Sequence, residues 1–147
     1  MKQVHIVVGV LSLLLMAAAA VWGAWCWYRA RPTRLFWQLL RAGQAVIVLE
    51  MVLGGVLELV GRRASDLHLI YGVLPLLVSF MAEQLRIASA QMVLDARGLQ
   101  DAAAVGERPE EEQRAVVVAI IQRELGVMVL AAIVMVALLV RAATTGG

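Results

Sequence analysis

The chain has 147 residues, of which 62% are hydrophobic and 16% are charged, and its formal net charge is +2. A soluble globular domain has roughly 45–50% apolar residues, so this composition excludes an ordinary soluble domain and indicates an integral membrane protein. The small net charge gives no reason to expect nucleic acid as a partner. The single cysteine, Cys26, excludes an internal disulfide and any paired-cysteine redox or zinc motif.

The first apolar block spans about residues 4–28, and about 20 residues are enough to cross a bilayer. A secretory signal peptide is the competing interpretation, with Lys2 as its basic region and residues 17–20 as a cleavage zone. The apolar run continues past those alanines, which favours a retained helix. The block ends in an aromatic belt with a basic flank, typical of a membrane–water interface: Trp22, Trp25, Trp27, Tyr28, Arg29 and Arg31.

The second block spans about residues 35–60 and follows Thr33, a residue type that caps helix N-termini. Gly43, Gly54 and Gly61 recur on one face of this block, where they would let another helix approach closely. Glu50 shares that face. A carboxyl group within a membrane span is costly, so Glu50 should face protein or water.

The third block spans about residues 67–94, with Ser65 or Asp66 as its N-cap. Pro75 has no N–H and leaves the carbonyl of Tyr71 without its helical partner, which predicts a kink. At 1.5 Å per residue this helix is roughly 40 Å long, more than the ~30 Å hydrocarbon core. We therefore expect its last turns to extend into the cytoplasm.

Residues 95–114 form a hydrophilic loop, and the fourth block spans about residues 115–140. Pro109 followed by three glutamates is typical of the first turn of a helix. No internal repeat or separate soluble domain is evident. The sequence predicts an all-α integral membrane protein, one domain over residues 1–147, with four transmembrane helices in an antiparallel bundle.

Basic residues set the expected orientation in the membrane. The first and third loops are richer in arginine than the opposite side, which has Lys2, Arg62, Arg63 and Arg141. Both termini are therefore predicted to lie outside the cell. Twelve arginines against one lysine favour a GC-rich bacterial coding sequence, so we expect a multi-pass protein of the bacterial inner membrane.

A charged network is predicted towards the cytoplasmic side of three helices. Glu83 and Glu124 each lie about sixteen residues from the outer end of their helix, which is roughly 24 Å down. Opposite charges at one depth should pair, because an unpaired charge there is expensive. One alternative is that these side chains only mark where the helices emerge and extend to the lipid headgroups, and the other is that they form a substrate or ion site. The predicted members are Arg41, Gln44, Glu83, Arg86, Arg123 and Glu124.

Two further groups of polar residues are candidate sites. His68, His5 and Glu58 lie near the outer boundary, where two histidines and a carboxylate could hold a metal, or two histidines a haem. Their spacing matches no known ligand motif, and the expectation is that no cofactor is present. Glu50, Tyr71 and Ser79 lie between the two levels and could form a path for protons or a ligand.

The motifs of nucleotide-binding loops, zinc proteases and serine hydrolases are absent from the sequence. The favoured hypothesis is a non-enzymatic accessory or scaffold subunit in the lipid bilayer, associating with itself or with a larger membrane complex through its small-residue faces. A small proton-coupled transporter or channel using Glu50, Glu83 or Glu124 is the main alternative. A haem-binding electron carrier using His68 and His5 is the other.

Overall fold

The computed structural model describes residues 2–61 and 64–145, and these are all-helical, with short turns between the helices. All helices except the fourth are long and apolar enough to cross a membrane, which confirms the prediction of four candidate spans. The helices are α1 (Lys2–Tyr28), α2 (Arg34–Leu59), α3 (Asp66–Ala96), α4 (Ala102–Gly106) and α5 (Glu110–Thr145). Arg62 and Arg63, which enter the charge count for orientation, lie outside the described residues.

Side-chain caps fix where two of the long helices begin. Thr33 precedes α2 with an extended backbone, and its hydroxyl accepts a hydrogen bond from the backbone N–H of Phe36. Ser65 caps α3 in the same way through the N–H of His68. A cap satisfies one of the free N–H groups at a helix start, and both caps are at positions that the sequence predicted.

Left-handed backbone conformations end α1 and α3. Ala30 has a φ of 54° and Gly98 a φ of 65°. After each, a backbone N–H reaches back to a carbonyl five residues earlier, from Arg31 to Cys26 and from Leu99 to Leu94. This is the Schellman pattern of a helix C-terminus, and it reverses the chain over a few residues.

Helix α1 packs against α2 and α5, and α3 packs mainly against α5, whereas α2 and α3 touch far less. Glycines allow the close approaches. A β-carbon at Gly43 would collide with the Met16 side chain, one at Gly23 with the ring of Phe36, and one at Gly126 would lie 2.9 Å from the Trp27 ring. The glycine-bearing face of α2 is thus already used against α1.

A main apolar cluster joins all four long helices. Phe36, Leu40, Met16, Leu125, Met128 and Met135 are its fully buried large side chains. Pro75 is also buried, inside a helix that runs without a break from Asp66 to Ala96. The kink at Pro75 stays a prediction.

A second, smaller apolar cluster lies where a hydrophilic loop was predicted. Leu99 is 5% exposed and packs with Leu94 and Val116. The segment 95–114 also contains α4 and the first turn of α5, which begins at Glu110, directly after Pro109, where the sequence predicts the first turn of a helix. A few apolar residues among many charged ones are enough to close this small core.

Candidate functional site

Glu83 on α3 is the centre of a charged network that joins three helices. Both terminal nitrogens of Arg41 on α2 donate to its carboxylate, one of them to Oε2 at 3.1 Å. Two parallel hydrogen bonds of this kind are the strong geometry for an arginine–carboxylate pair. The pair bridges α2 and α3, the two adjacent long helices with the least contact.

Gln44 extends the network one turn deeper along α2. Its amide nitrogen donates to Ser79 Oγ at 2.8 Å and lies 3.3 Å from Glu83 Oε1. Its amide oxygen accepts from Arg41 at 2.8 Å. Gln44 therefore holds the arginine in place while it links α2 to a second residue of α3.

Arg86 connects Glu83 to α5. Its Nε donates to Glu83 Oε2 at 3.0 Å, and its Nη1 lies 3.7 Å from Glu124 Oε2. The guanidinium carbon is 5.8 Å from the centroid of the Trp37 ring on α2, a cation–π distance. Two carboxylates and two guanidinium groups balance in charge, so this arrangement suits holding helices together.

Arg123 is the one predicted network member that the described structure directs elsewhere. Its Nη2 donates to the sulfur of Met92 at 3.4 Å, and no ion pair of Arg123 is found within the described residues. Sequence depth placed Arg123 and Glu124 together, but consecutive helical residues point about 100° apart. Because Glu124 faces Arg86, the Arg123 side chain points away from this part of the network.

The two histidines meet at the other end of the assembly. The ring centroids of His5 on α1 and His68 on α3 are 6.0 Å apart, in an edge-to-face arrangement. Nδ1 of His68 lies 2.9 Å from the carbonyl oxygen of Ala142 on α5. Ser65 donates to the carbonyl of Thr145 at 2.9 Å. The start of α3 is thus tied to the end of α5.

Glu58 does not join the histidines. Its Oε2 accepts a hydrogen bond from the backbone N–H of Ala64 at 3.0 Å, so the carboxylate is committed to the turn before α3. Among residues 2–61 and 64–145 no group of three metal-ligating side chains is close enough to hold a metal ion. The three-ligand set drawn from the sequence, His68, His5 and Glu58, is therefore not assembled in this part of the chain.

The residues predicted for a proton or ligand path lie in three separate surroundings. Glu50 Oε2 is 2.8 Å from Ser12 Oγ on α1. Ser79 belongs to the charged network through Gln44, and the Tyr71 ring lies under Arg141 at 5.4 Å. No hydrogen bond links these predicted path residues to one another in the described ranges.

A cavity of about 360 Å³ opens between all four long helices at the histidine end, and we call it the histidine cavity. His5, His68, Glu50 and Lys2 supply its titratable side chains, and the rest of its wall is apolar or glycine. Nδ1 of His5 is buried and has no hydrogen-bond partner within the described residues. A buried polar atom of this kind is uncommon and calls for an explanation.

Sequence reasoning missed two contributors, Ser12 and Trp37. Ser12 is fully buried and contacts Glu50, and Trp37 lies beneath Arg86. Counting residues inward from the first turn would have placed Ser12 at the depth of Glu50. Nothing in the sequence separates Trp37 from the other tryptophans near the membrane boundary.

Comparisons of the chain with protein-family models, with curated proteins and with solved structures found no match.

Proposed function

We propose that the chain is a non-enzymatic integral membrane protein that acts as a scaffold by associating with a second copy of itself. In this proposal its four spans form an antiparallel bundle in the plasma membrane, with both termini outside. The observation that carries the proposal is a polar groove between α2 and α3, the α2–α3 groove, on the side of the assembly where these helices touch least.

The α2–α3 groove has a volume of about 350 Å³. Its polar wall is part of the charged network, and its rim is apolar. The lining residues are Arg41, Gln44, Ala45, Val48, Leu76, Ser79, Phe80 and Glu83.

The charged side chains in the groove favour burial of the groove against another protein surface. The Arg41 side chain is 48% exposed and that of Glu83 is 22% exposed, yet both belong to helices that can span a membrane. Insertion scales put a charged side chain at the centre of a membrane helix at about 2.5–3.5 kcal/mol, and the cost is smaller towards the helix ends, where Arg41 lies. Covering the groove with protein would remove this contact with lipid.

A second copy fits the groove better than a partner of one charge. The groove presents a guanidinium and a carboxylate side by side, so a copy rotated by a two-fold axis would place each charge opposite its complement. Such an isologous interface is the commonest way in which subunits pair. The sequence suggested that small-residue faces mediate association, but Gly43 on α2 is already packed against Met16 within the chain.

Cysteine cross-linking in native membranes tests this proposal. Ala45→Cys and Phe80→Cys place single thiols on the two rims of the groove, in a background where the buried Cys26 is replaced by alanine. Both residues are exposed in the single chain. We expect disulfide-linked dimers on mild oxidation. Ala137→Cys, on the exposed face of α5, is the matched control and should stay monomeric.

Two outcomes would contradict the second copy as the occupant. One is cross-linking of the rim variants no stronger than that of Ala137→Cys, together with single-molecule counting that finds monomers. The other is a cross-linked product whose mass identifies a different protein, which would indicate a subunit of a larger complex.

A further inference from the structure

The histidine cavity is unlike the charged network in that its polar groups are not saturated by one another. Cavities of about 300–1,000 Å³ with mostly apolar walls and a few polar groups are typical of small-molecule sites. At about 360 Å³ the histidine cavity lies at the small end of that range. Its walls come from all four long helices, so it is a feature of the assembled fold.

The hydrogen-bonding character of His68 follows from its backbone partner. A carbonyl oxygen only accepts hydrogen bonds, so the Nδ1 of His68, 2.9 Å from the carbonyl of Ala142, carries the hydrogen. In a neutral imidazole the other ring nitrogen is then an acceptor. His68 therefore offers Nε2 as an acceptor.

His5 adds a second unsaturated nitrogen. Its Nδ1 is buried and has no partner within the described residues, and its ring lies 6.0 Å from that of His68. Glu50, on the same wall, is already in contact with Ser12 at 2.8 Å. A ligand in this cavity would thus meet the acceptor nitrogen of His68 beside the His5 ring and the carboxyl group of Glu50.

Two glycines on the wall are not explained by helix packing. A β-carbon at Gly55 or at Gly72 would meet no atom within 4 Å, whereas the glycines between α1 and α2 are required by contact. Glycine within a helix costs roughly 0.5–1 kcal/mol relative to alanine. Gly55 and Gly72 both line the cavity, and Gly55 is exposed, so a side chain at either position would have room.

We propose that the histidine cavity binds a small, uncharged, apolar molecule that carries a hydroxyl group, of the phenol class. Its hydroxyl donates to Nε2 of His68, and its apolar body lies between Val73, Leu139 and the two glycines. The wall carries one acidic side chain, Glu50, and one basic side chain, Lys2, so it favours neither an anion nor a cation. The site lies at the opposite end of the helices from the charged network, so this proposal does not depend on self-association.

Fluorine NMR on the full chain in lipid nanodiscs tests the proposal with two matched probes. The probe para-trifluoromethylphenol has the hydroxyl, and para-trifluoromethylanisole is its methyl ether. We expect saturable binding of the phenol above the background of empty nanodiscs. The ether should bind roughly fivefold more weakly, since one net hydrogen bond contributes about 1 kcal/mol.

Filling the cavity should abolish the bound signal. Gly72→Leu places a large side chain into open space on α3, and Gly55→Leu does the same from α2, so each checks the other if one fails to fold. Ala137→Leu, on the exposed face of α5, adds the same side chain outside the cavity and should leave binding unchanged. His68→Phe should reduce the preference for the phenol over the ether.

Three results would overturn the proposal. Equal binding of phenol and ether would mean that the hydroxyl is not recognised. Binding that survives both filling variants, or no saturable binding at all, would mean that the phenol only partitions into lipid. Tighter binding of para-trifluoromethylbenzoate than of the phenol would replace the uncharged ligand by an anion.

Discussion

The charged network and the histidine cavity differ in how far their polar side chains are hydrogen-bonded within the protein. In the charged network, Glu83 accepts from two arginines and a glutamine. In the histidine cavity, His5 Nδ1 is buried and has no hydrogen-bond partner among the described residues, and the His5 side chain borders open volume. Polar side chains whose hydrogen bonds are all made within the protein hold helices in place. Polar side chains with free hydrogen-bonding capacity beside an open cavity suit a ligand.

The largest effect is expected from removing the carboxylate at the centre of the charged network. Glu83→Leu leaves Arg41 without its carboxylate partner and leaves Arg86 with only the 3.7 Å contact to Glu124. Breaking a buried ion pair costs roughly 3–5 kcal/mol, and the partial exposure of Glu83 should reduce this to about 2–4 kcal/mol. The free energy of unfolding in mild detergent measures it, with Glu107→Leu, at an exposed site, as the control.

Equal stability of Glu83→Leu and the unchanged protein would contradict a structural role for the network. It would instead support the alternative from the sequence, in which the arginines extend to lipid headgroups.

Paired glycine substitutions sharpen the contrast in packing. Gly23→Ala places a methyl group against Phe36 and Val129, and such overpacking costs about 1–3 kcal/mol. Gly72→Ala enters open space and should be neutral or stabilise the helix by up to about 1 kcal/mol. Thermal unfolding of the two variants side by side measures the difference, and similar shifts would mean that the histidine cavity is filled.

The smallest expected effect is the difference in unfolding free energy between two arginine variants. The sequence predicted both arginines, Arg86 and Arg123, as members of the charged network. Arg86→Gln loses contacts to Glu83, Glu124 and Trp37 and should cost about 1–2 kcal/mol, since hydrogen bonds to charged groups contribute roughly 1.5–3 kcal/mol when buried. Arg123→Gln loses a contact to the sulfur of Met92 and should change the unfolding free energy by less than about 0.5 kcal/mol. A larger effect for Arg123→Gln would show that it also pairs with a carboxylate.

Local chemistry made several features of this chain predictable from its sequence. The long apolar blocks gave four helices because a helix satisfies its own backbone hydrogen bonds. Thr33 and Ser65 marked helix starts because their hydroxyls accept from backbone N–H groups within three residues. Depth along each helix brought Arg41, Gln44, Glu83, Arg86 and Glu124 to one level, because the rise per residue is constant.

Rotation about each helix axis and the choice of neighbouring helices were settled only in the tertiary structure. Depth alone could not tell that Glu124 faces Arg86 while Arg123 turns to Met92, or that Glu58 caps a turn instead of meeting His68. The histidine cavity likewise exists because four helices leave space where Gly55 and Gly72 have no side chains. Sequence spacing constrains one helix, whereas a shared site depends on how several helices pack together.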